Sequence, residues 1–442
     1  MYSPGWFRLL PAQLRRRLDG RLNLIAMIEN SGWLIFDKFV RMLLGLAVSV
    51  WVARYLGPAQ FGELAYALAY IALFQAVATL GLDGIVVRDI ARDKSAAGTV
   101  LGTAFSLRLA AGILCWLSAV GSMALINGLD SRSVMLVALA GGALVFQAAD
   151  TVDLWFQSQS QSRRTVLPKL AAYLVSNGIK VALILGQAPL WGFAVVMALE
   201  ALLAALGLII SYFSYPCREH WKSVSLMAHQ LLAEGWPFML SGVSIMIYMR
   251  IDQIMIREIL GERELGIYAA ILPLATVWQF IPMILASSLA PFVARKKKEG
   301  DKPYWDALEM IFRKFALLSW IVCVPIVLFG GYFVDMVYGD LYTEGGLVLK
   351  VYVLTNIFIN LGVAQSLWLI NERRSDLSLY KTILGAIVCI AANVILLPIC
   401  GLLGVAISAL LSMSVSAVFS NFIFSKRIFF LQIKALLLVK VG

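Results

Sequence analysis

Long apolar runs recur along the whole chain and are separated by short polar segments. Each run holds roughly 20 or more mostly apolar residues, the length an α-helix needs to cross a hydrocarbon core about 30 Å thick. The pattern therefore predicts an all-α polytopic membrane protein with 12 transmembrane helices. The predicted spans cover residues 33–55, 62–83, 100–126, 133–157, 165–186, 190–213, 237–259, 266–292, 309–330, 347–370, 379–398 and 402–424.

The basic residues of the polar segments predict the orientation in the membrane. With a cytoplasmic N-terminus, the inner segments hold 23 Lys and Arg residues, and the outer loops hold only Arg132 and Arg263. Cytoplasmic loops normally carry such an excess. Both termini are therefore predicted to be cytoplasmic. The net charge of +11 follows from this topology and from attraction to anionic inner-leaflet lipid, and it requires no nucleic-acid partner.

Composition supports the membrane class, and the remaining polar segments complete the domain division. The chain is 61% hydrophobic and 14% charged, whereas soluble domains are about half apolar and a quarter charged. Residues 1–32 carry an arginine cluster without the apolar core of a cleavable signal, so they are predicted to form a cytoplasmic arm. Residues 214–236 are predicted as a cytoplasmic inter-lobe segment and residues 425–442 as a cytoplasmic surface tail.

A repeated stretch divides the spans into two sets of six. The sequence RYLGPAQFGELAYA at 54–67 resembles REILGERELGIYAA at 257–270, each between two apolar runs. At an offset of 204 residues, the matched pairs are Leu56 with Leu260, Gly57 with Gly261, Gly62 with Gly266, Ala65 with Ala269 and Gln75 with Gln279. Because six is even, both lobes (33–213 and 237–424) have the same orientation. Parallel repeats of this kind predict a transporter with a central cavity.

Several function classes lack their sequence signals. The five cysteines are scattered and the two histidines lie in one polar segment, so neither a metal site nor a cofactor is predicted. The chain contains no G-x-x-x-x-G-K-[ST] phosphate loop, no H-E-x-x-H motif and no nucleophile beside a base, so it is not predicted to be an enzyme.

The stretch ARYLGPAQFGELAYALAYIALFQAVATLGLDGIVVRDIARD, residues 53–93, resembles a known signature. It looks like the N-terminal signature of bacterial polysaccharide transporters, the O-antigen (Wzx-type) lipid-linked oligosaccharide flippases of the multidrug/oligosaccharidyl-lipid/polysaccharide (MOP) exporter superfamily. The likeness extends more weakly over nearly the whole chain, and 12 spans is the family's common number.

This resemblance implies a fold, a cargo and a location. The fold would be two six-helix lobes around a central, often cationic cavity. The cargo would be undecaprenyl-pyrophosphate-linked oligosaccharide, moved from the inner to the outer leaflet of the bacterial cytoplasmic membrane. Membrane lipids are implied partners, and other membrane proteins of polysaccharide assembly are further candidates.

Ionisable residues deep in the spans are the candidate functional residues, because such groups are costly in lipid and usually face protein or water. They are Asp37, Lys38, Arg41, Arg108, Lys180, Glu200, Arg250 and Asp252. All lie on spans 1, 3, 5, 6 and 7, and the charges of spans 8 to 12 keep to the span ends. The polar wall of the cavity is therefore predicted to come from the first lobe and span 7.

The cations of this set and two glutamines are predicted to bind the cargo, and for several of them a structural alternative stays open. The predicted substrate-binding residues are Lys38, Arg41, Arg108, Lys180, Arg250, Gln75 and Gln279. Arg41 is four residues from Asp37 and can instead pair with it. Arg108 meets either a distant protein partner or an anionic cargo, and Lys180 can extend to the interface. Gln75 and Gln279 bind either sugar hydroxyls or neighbouring helices.

The acids are predicted to neutralise cations or to couple transport to an ion; they are Asp37, Glu200 and Asp252. Glycines and prolines around the repeated stretches predict flexing elements, with static irregularity as the alternative. The predicted gate or hinge residues are Gly57, Gly62, Gly261, Gly266, Pro273 and Pro282.

A flippase is the preferred function, and two alternatives stay open. A drug or cation antiporter of the same superfamily would need carboxylates to dominate the cavity, whereas the deep set holds five cations and three anions. A membrane-embedded glycan polymerase or ligase would need a sizeable outer loop with catalytic residues, and the longest predicted outer loop covers only residues 331–346.

Overall fold

The computed structural model describes residues 22–216 and 220–437. The predicted N-terminal arm up to residue 21, part of the inter-lobe segment and the last five residues of the tail lie outside these ranges. Within them, the regular elements are helices. They are α1 (Leu22–Ala78), α2 (Asp83–Arg92), α3 (Ala97–Asn127), α4 (Arg132–Gly141), α5 (Ala143–Phe146), α6 (Asp150–Ser158), α7 (Arg163–Leu185), α8 (Leu190–Phe213), α9 (Ser225–Ile259), α10 (Glu262–Thr276), α11 (Phe280–Glu299), α12 (Asp301–Tyr338), α13 (Gly345–Tyr352), α14 (Thr355–Asn371), α15 (Ser375–Cys400), α16 (Leu402–Ser414), α17 (Asn421–Phe424) and α18 (Lys426–Leu436).

The helices account for all twelve predicted spans. Eleven helical stretches among the described residues are long and apolar enough to cross a membrane. The first of them, Gly32–Arg92, covers two predicted spans, because the helical backbone of α1 is interrupted at Gly57. Span 4 is also composite, since a 3₁₀ turn at Gln147–Ala149 joins α5 to α6. The prediction of an all-α polytopic membrane protein is confirmed.

Several helices extend beyond the predicted spans. Helix α9 begins at Ser225, ahead of the predicted start at residue 237, and α12 runs from Asp301 to Tyr338 around the predicted span 309–330. Hydropathy marks only the part of a helix that matches the apolar core. Backbone hydrogen bonding continues the helix through polar turns that the apolar pattern does not record.

The described residues belong to two compact units. The first unit falls within Met1–Gly45 and Ile71–Ser244, and the second within Leu46–Tyr70 and Ile245–Gly442. The interruption at Gly57 is thus grouped with the second unit, whereas the sequence assigns it to the N-terminal lobe. The division into lobes at 33–213 and 237–424 remains a prediction.

An aromatic core in the first unit anchors the segment that leads into α9. Trp155 packs edge-on against Tyr212, with 5.1 Å between ring centroids. The hydroxyl of Tyr212 accepts a hydrogen bond from Trp221 Nε1 at 2.9 Å. The backbone of Lys222 donates to the Gly98 carbonyl at 3.1 Å, at the start of α3. Residues 221–224 therefore pack against the helices of this unit.

The tail helix α18 is part of the core of the second unit. Ile428, Gln432 and Ala435 are buried, and Ile428 lies in the same cluster as Phe312 and Trp368. The sequence predicts the tail as a surface segment, and the described part differs from that. The spacing of the apolar residues of α18 places several of them on one face of the helix, and this face is buried. A helix can pack in this way even though it is too short to cross a membrane.

Candidate functional site

Four ionisable side chains from three helices meet inside the first unit. Arg41 on α1 pairs with Asp37 one turn earlier, with 2.8 Å between Nε and Oδ1. Glu200 on α8 lies between two cations. Its Oε1 is 4.0 Å from Nη1 of Arg41, and its Oε2 is 3.7 Å from Nζ of Lys180 on α7. The structure therefore brings two acids and two bases of the predicted set together, and their charges balance.

Neutral side chains of α7 hold this charged cluster in place. Ser176 Oγ donates a hydrogen bond to Glu200 Oε2 at 2.6 Å. Tyr173 OH donates to the carbonyl of Arg41 at 2.9 Å, and the guanidinium carbon lies 4.7 Å from the centre of the Tyr173 ring. The side chain of Arg41 is still 28% exposed. The guanidinium is thus restrained by an aromatic ring and an acid, yet it stays accessible.

The spacing of these supporting residues was present in the sequence but was not used. Tyr173, Ser176 and Lys180 recur at intervals of three and four, which places them on one face of α7. Helix α1 comes close to this face, because a Cβ on Gly45 would lie only 2.6 Å from the Tyr173 hydroxyl. A small residue at position 45 therefore allows the contact that orients Arg41.

Of the two interpretations offered for Arg108, a distant protein partner or an anionic cargo, the structure shows a protein partner. It forms an ion pair with Asp83, at the start of α2. Its side chain is only 4% exposed, whereas that of Asp83 is 65% exposed. The pair joins α3 to α2 in the first unit. A direct role of Arg108 in binding cargo remains a prediction.

The two repeat-matched glutamines have different surroundings. Gln75 lines a cavity of about 190 Å³ in the first unit, together with Gln147 and Asp150. Asp150 shares Lys169 with Asp153, and each carboxylate lies 2.7 Å from the ammonium. Gln147, Asp150 and Asp153 of span 4 recur every third position, a signal that the sequence analysis does not use. Gln279 ends the 3₁₀ turn Val277–Gln279 in the second unit.

Asp252, on α9 in the second unit, is surrounded by hydroxyl and thiol groups. Tyr268 OH donates to its Oδ2 at 3.1 Å, and Cys389 Sγ lies 3.9 Å from its Oδ1. One turn earlier, the hydroxyls of Tyr248 and Ser412 are 3.1 Å apart. Within residues 22–216 and 220–437, Asp252 forms no ion pair. Helices α10 and α15 therefore surround a carboxylate whose charge no cation among the described residues balances.

Other cations in the spans also form no ion pair among the residues that the structure describes, and three of them bear on the site. Lys38 is exposed and Arg250 is partly exposed, and both were predicted site residues. Lys381, on α15, is 6% exposed and was not predicted. It lies two residues inside the predicted span 379–398 and was therefore read as a span-end charge. Lys381 thus lies near the end of its span as expected, but its burial in the protein is not what the sequence predicts.

The matched glycines of the two repeats are two helix breaks, Gly57 and Gly261, and two contact positions, Gly62 and Gly266, all in the second unit. Gly57 has φ +71° and Gly261 has φ +115°, a region that favours glycine. Gly62 and Gly266 form a close backbone contact, since a Cβ on Gly62 would lie 2.9 Å from the Gly266 nitrogen. The repeated stretch therefore marks a turn and a tight helix crossing in each repeat. Flexing at these glycines remains a prediction.

Span 8 is interrupted one turn after its first proline. Helix α10 ends at Thr276, a 3₁₀ turn follows, and α11 begins at Phe280. Pro273 lies in the last turn of α10, and Pro282 lies in the first turn of α11, where a missing N–H is tolerated. The predicted irregularity is present, and whether it flexes as a gate is a separate prediction.

Comparison with known families decides the class of this chain. The polysaccharide biosynthesis protein family matches residues 27–297, which is more than half of the chain. The chain belongs to this family. The resemblance drawn from residues 53–93 is thereby confirmed at family level.

The chain is similar to one curated membrane protein in sequence and to solved transporters in fold, all at low sequence identity. An uncharacterized membrane protein of Haemophilus influenzae is 22% identical over 315 residues, covering 68% of this chain and 72% of that one. The lipid II flippase MurJ in an inward closed conformation is 14% identical with a TM-score of 0.69, covering 91% of this chain and 90% of that one. A multidrug resistance MATE family transporter of the MOP superfamily is 18% identical with a TM-score of 0.65, covering 89% and 95%. The chain has the MOP superfamily fold.

Proposed function

We propose that this polysaccharide biosynthesis protein is a flippase for undecaprenyl-pyrophosphate-linked oligosaccharide. It moves this cargo from the inner to the outer leaflet of the bacterial cytoplasmic membrane, for assembly of a surface polysaccharide. Both termini lie in the cytoplasm. The lobes alternate between access to the two sides, and the prenyl tail stays in lipid while the pyrophosphate and sugars pass through the protein.

The observation that carries the proposal is the charged cluster around Arg41. The guanidinium is held by Asp37 and Tyr173 and remains partly exposed. Its 4.0 Å approach to Glu200 is longer than the 2.7–2.9 Å of a charge-assisted hydrogen bond. A diphosphate can therefore take up the outer edge of the guanidinium, whose planar fork matches phosphate oxygens. In the predicted topology Arg41 lies in the cytoplasmic half of span 1, where the cargo enters.

Asp37 and Glu200 lower the cost of keeping these cations within the membrane between transport cycles. An unpaired cation in a membrane span costs several kcal/mol, so a free Arg41 would be disfavoured without cargo. Asp37 and Glu200 keep the net charge of the cluster near zero when the cargo is absent. The negative charge of a bound diphosphate would need a further cation nearby, and the exposed Lys38, three residues before Arg41, is the candidate.

The membrane potential supplies part of the driving force in this scheme. An anion that leaves a cell with a negative interior moves downhill by about 2.3 kcal/mol per charge for every 100 mV. A diphosphate head that carries its charge through the protein thus gains a multiple of this energy. Ion coupling adds a second contribution, for which Asp252 and Glu200 are the candidate residues.

Cation antiport is the alternative function that one specific observation favours. Among the described residues, Asp252 is a carboxylate without an ion pair, next to hydroxyl and thiol groups, a setting suited to binding a proton or a small cation. In the flippase scheme this site drives the return of the empty transporter. In a drug or cation antiporter it would instead serve the cargo directly, and glycan export would not depend on it.

Deletion of the gene in its native host tests the proposal. We expect lipid-linked glycan to accumulate on the cytoplasmic leaflet and surface polysaccharide to disappear, and expression of the intact chain to restore export. Expression of Arg41→Gln should restore little export, and Arg295→Gln, an exposed arginine at the end of α11, should restore it fully. Glycan units that reach the outer leaflet unpolymerised would refute the flippase and indicate a polymerase.

A further inference from the structure

A buried lysine in the second unit lacks the acid that would normally accompany it. Lys381 lies in α15 with only 6% of its side chain exposed. Its Nζ donates to Gln365 Oε1 at 2.5 Å and to Asn421 Oδ1 at 3.0 Å, and lies 3.5 Å from the carbonyl of Ala417. All three acceptors are neutral. Across the described residues Lys381 forms no ion pair.

The amides around Lys381 form one connected network. Asn421 Nδ2 donates to Gln432 Oε1 at 2.8 Å, and Gln432 Nε2 donates to the Ala417 carbonyl at 3.1 Å. Gln432 belongs to the tail helix α18, which packs against this network. The network orients oxygen atoms toward the ammonium but contributes no formal negative charge. Buried charges are normally paired, so the positive charge here is the unexplained feature.

The same lysine lines a cavity in the second unit. The cavity has a volume of about 530 Å³, within the range of sites that hold small molecules. Helices α11, α14 and α15 and the segment from α16 onward form its wall. Hydroxyl groups of Ser366, Ser378, Thr382 and Ser416 line it beside Lys381, and no carboxylate does.

The chemistry of this wall fits one class of ligand. The Lys381 ammonium and the Ser378 hydroxyl can donate to phosphate oxygens, and lysine is a common phosphate binder. The hydroxyls of Ser366, Thr382 and Ser416 already donate to backbone carbonyls. Met283, Leu367 and Ile370 provide an apolar surface in the same cavity, which suits a hydrocarbon chain. A π-helical turn at Val415–Phe419 contributes Ser416 to this wall, and such turns occur frequently at functional sites.

We propose that this cavity binds the phosphate group of a lipid, with Lys381 as the cation that receives it and with the Ser378 hydroxyl as a further donor. Two lipids share this chemistry, the pyrophosphate-linked carrier and an ordinary anionic phospholipid. The carrier as occupant rests on the flippase function proposed above. In the predicted topology the cavity lies in the cytoplasmic half of spans 8, 10, 11 and 12, where either lipid has access.

Binding to the purified full-length chain in phosphate-free detergent micelles tests the proposal. The probes are undecaprenyl pyrophosphate, phosphatidylglycerol and the uncharged undecaprenol. We expect a phosphorylated lipid to bind at least tenfold more tightly than undecaprenol, and Lys381→Met to abolish that preference. Lys381→Arg should retain most of it. Lys434→Met, on the exposed face of α18, is the matched control and should bind as the unmodified chain does.

Tighter binding of undecaprenyl pyrophosphate identifies the carrier as the source, and tighter binding of phosphatidylglycerol identifies a resident phospholipid. Equal affinity of Lys381→Met and the unmodified chain for every probe would overturn the proposal.

If Lys381 variants do not fold, Ser378→Cys provides a second measurement with the lysine intact. Undecaprenyl pyrophosphate or phosphatidylglycerol should slow maleimide labelling of that cysteine, whereas equal labelling with undecaprenol would overturn the site.

Binding and translocation fail separately in these experiments. A chain that binds phosphorylated lipid at Lys381 but does not move it across vesicles refutes the flippase and leaves the site. A chain that translocates normally while Lys381→Met binds normally refutes the site and leaves the flippase.

Discussion

Replacing Glu200 with glutamine should destabilise the first unit, because it removes the acid that lies between two cations. Arg41 keeps Asp37 as a partner, but Lys180 loses the only carboxylate it contacts among the described residues. Lys180 is 13% exposed and Glu200 is 24% exposed, so solvent screens the lost charge weakly. The net charge of the cluster then changes from zero to +1.

The size of the effect follows from the geometry. Two unit charges about 4 Å apart attract by roughly 4 kcal/mol at an effective dielectric constant near 20. Breaking a buried pair by removing one partner costs about 3–5 kcal/mol, because the other charge stays buried. We therefore expect Glu200→Gln to cost about 3 kcal/mol. Adding Lys180→Met removes the orphaned ammonium and should recover about 2 kcal/mol, so the two substitutions are not additive.

Reversible unfolding in mixed detergent micelles measures this double-mutant cycle, with the unmodified chain, both single variants and the double variant unfolded under the same conditions. Glu299→Gln is the control, because its pair with Lys296 is solvent-exposed and such pairs contribute about 1 kcal/mol or less. If the two substitutions add to within about 0.5 kcal/mol, Lys180 and Glu200 are not coupled and the reasoning fails.

Other changes test other parts of the structure. Gly266→Ala should lower the thermal midpoint of unfolding of the purified chain, because a Cβ at this position would collide with the carbonyl of Pro58. Gly242→Ala is the control and should leave the midpoint unchanged, because a Cβ there would meet no atom within 4 Å. Equal midpoints for the two variants would contradict the close helix crossing. Arg108→Ala should abolish glycan export at unchanged membrane levels, and Asp83→Asn should reduce it, because the buried guanidinium then loses its acid. Normal export by a well-inserted Arg108→Ala chain would exclude Arg108 from transport.

Helix breaks and contacts within one helix could be predicted from the sequence, because they depend on residues that are close along the chain. A glycine in both repeats, at positions 57 and 261, falls between two apolar runs, and the structure has a positive φ at each. The pairing of Asp37 with Arg41 follows from the same kind of rule, because residues four apart lie on one helix face.

Contacts between distant helices were not predictable from one sequence. Glu200 was identified as a deep acid, but nothing in the chain indicates that α7 and α8 bring it to Lys180 and Arg41. The sequence does not single out Lys381, because hydropathy places it near a span end. Its burial depends on the tail helix and on α14, which surround it. Positions of this kind are set by packing, which periodicity does not record.

Translocation by the purified chain tests the central claim most directly. The full-length protein would be reconstituted into vesicles with a membrane potential, together with undecaprenyl-pyrophosphate-linked oligosaccharide confined to one leaflet. Exposure of the glycan on the opposite leaflet would be followed with a membrane-impermeant glycosidase. We expect rapid exposure by the intact chain and slow exposure by Arg41→Gln at equal protein levels. Exposure no faster than in protein-free vesicles, by a chain that remains folded, would contradict it.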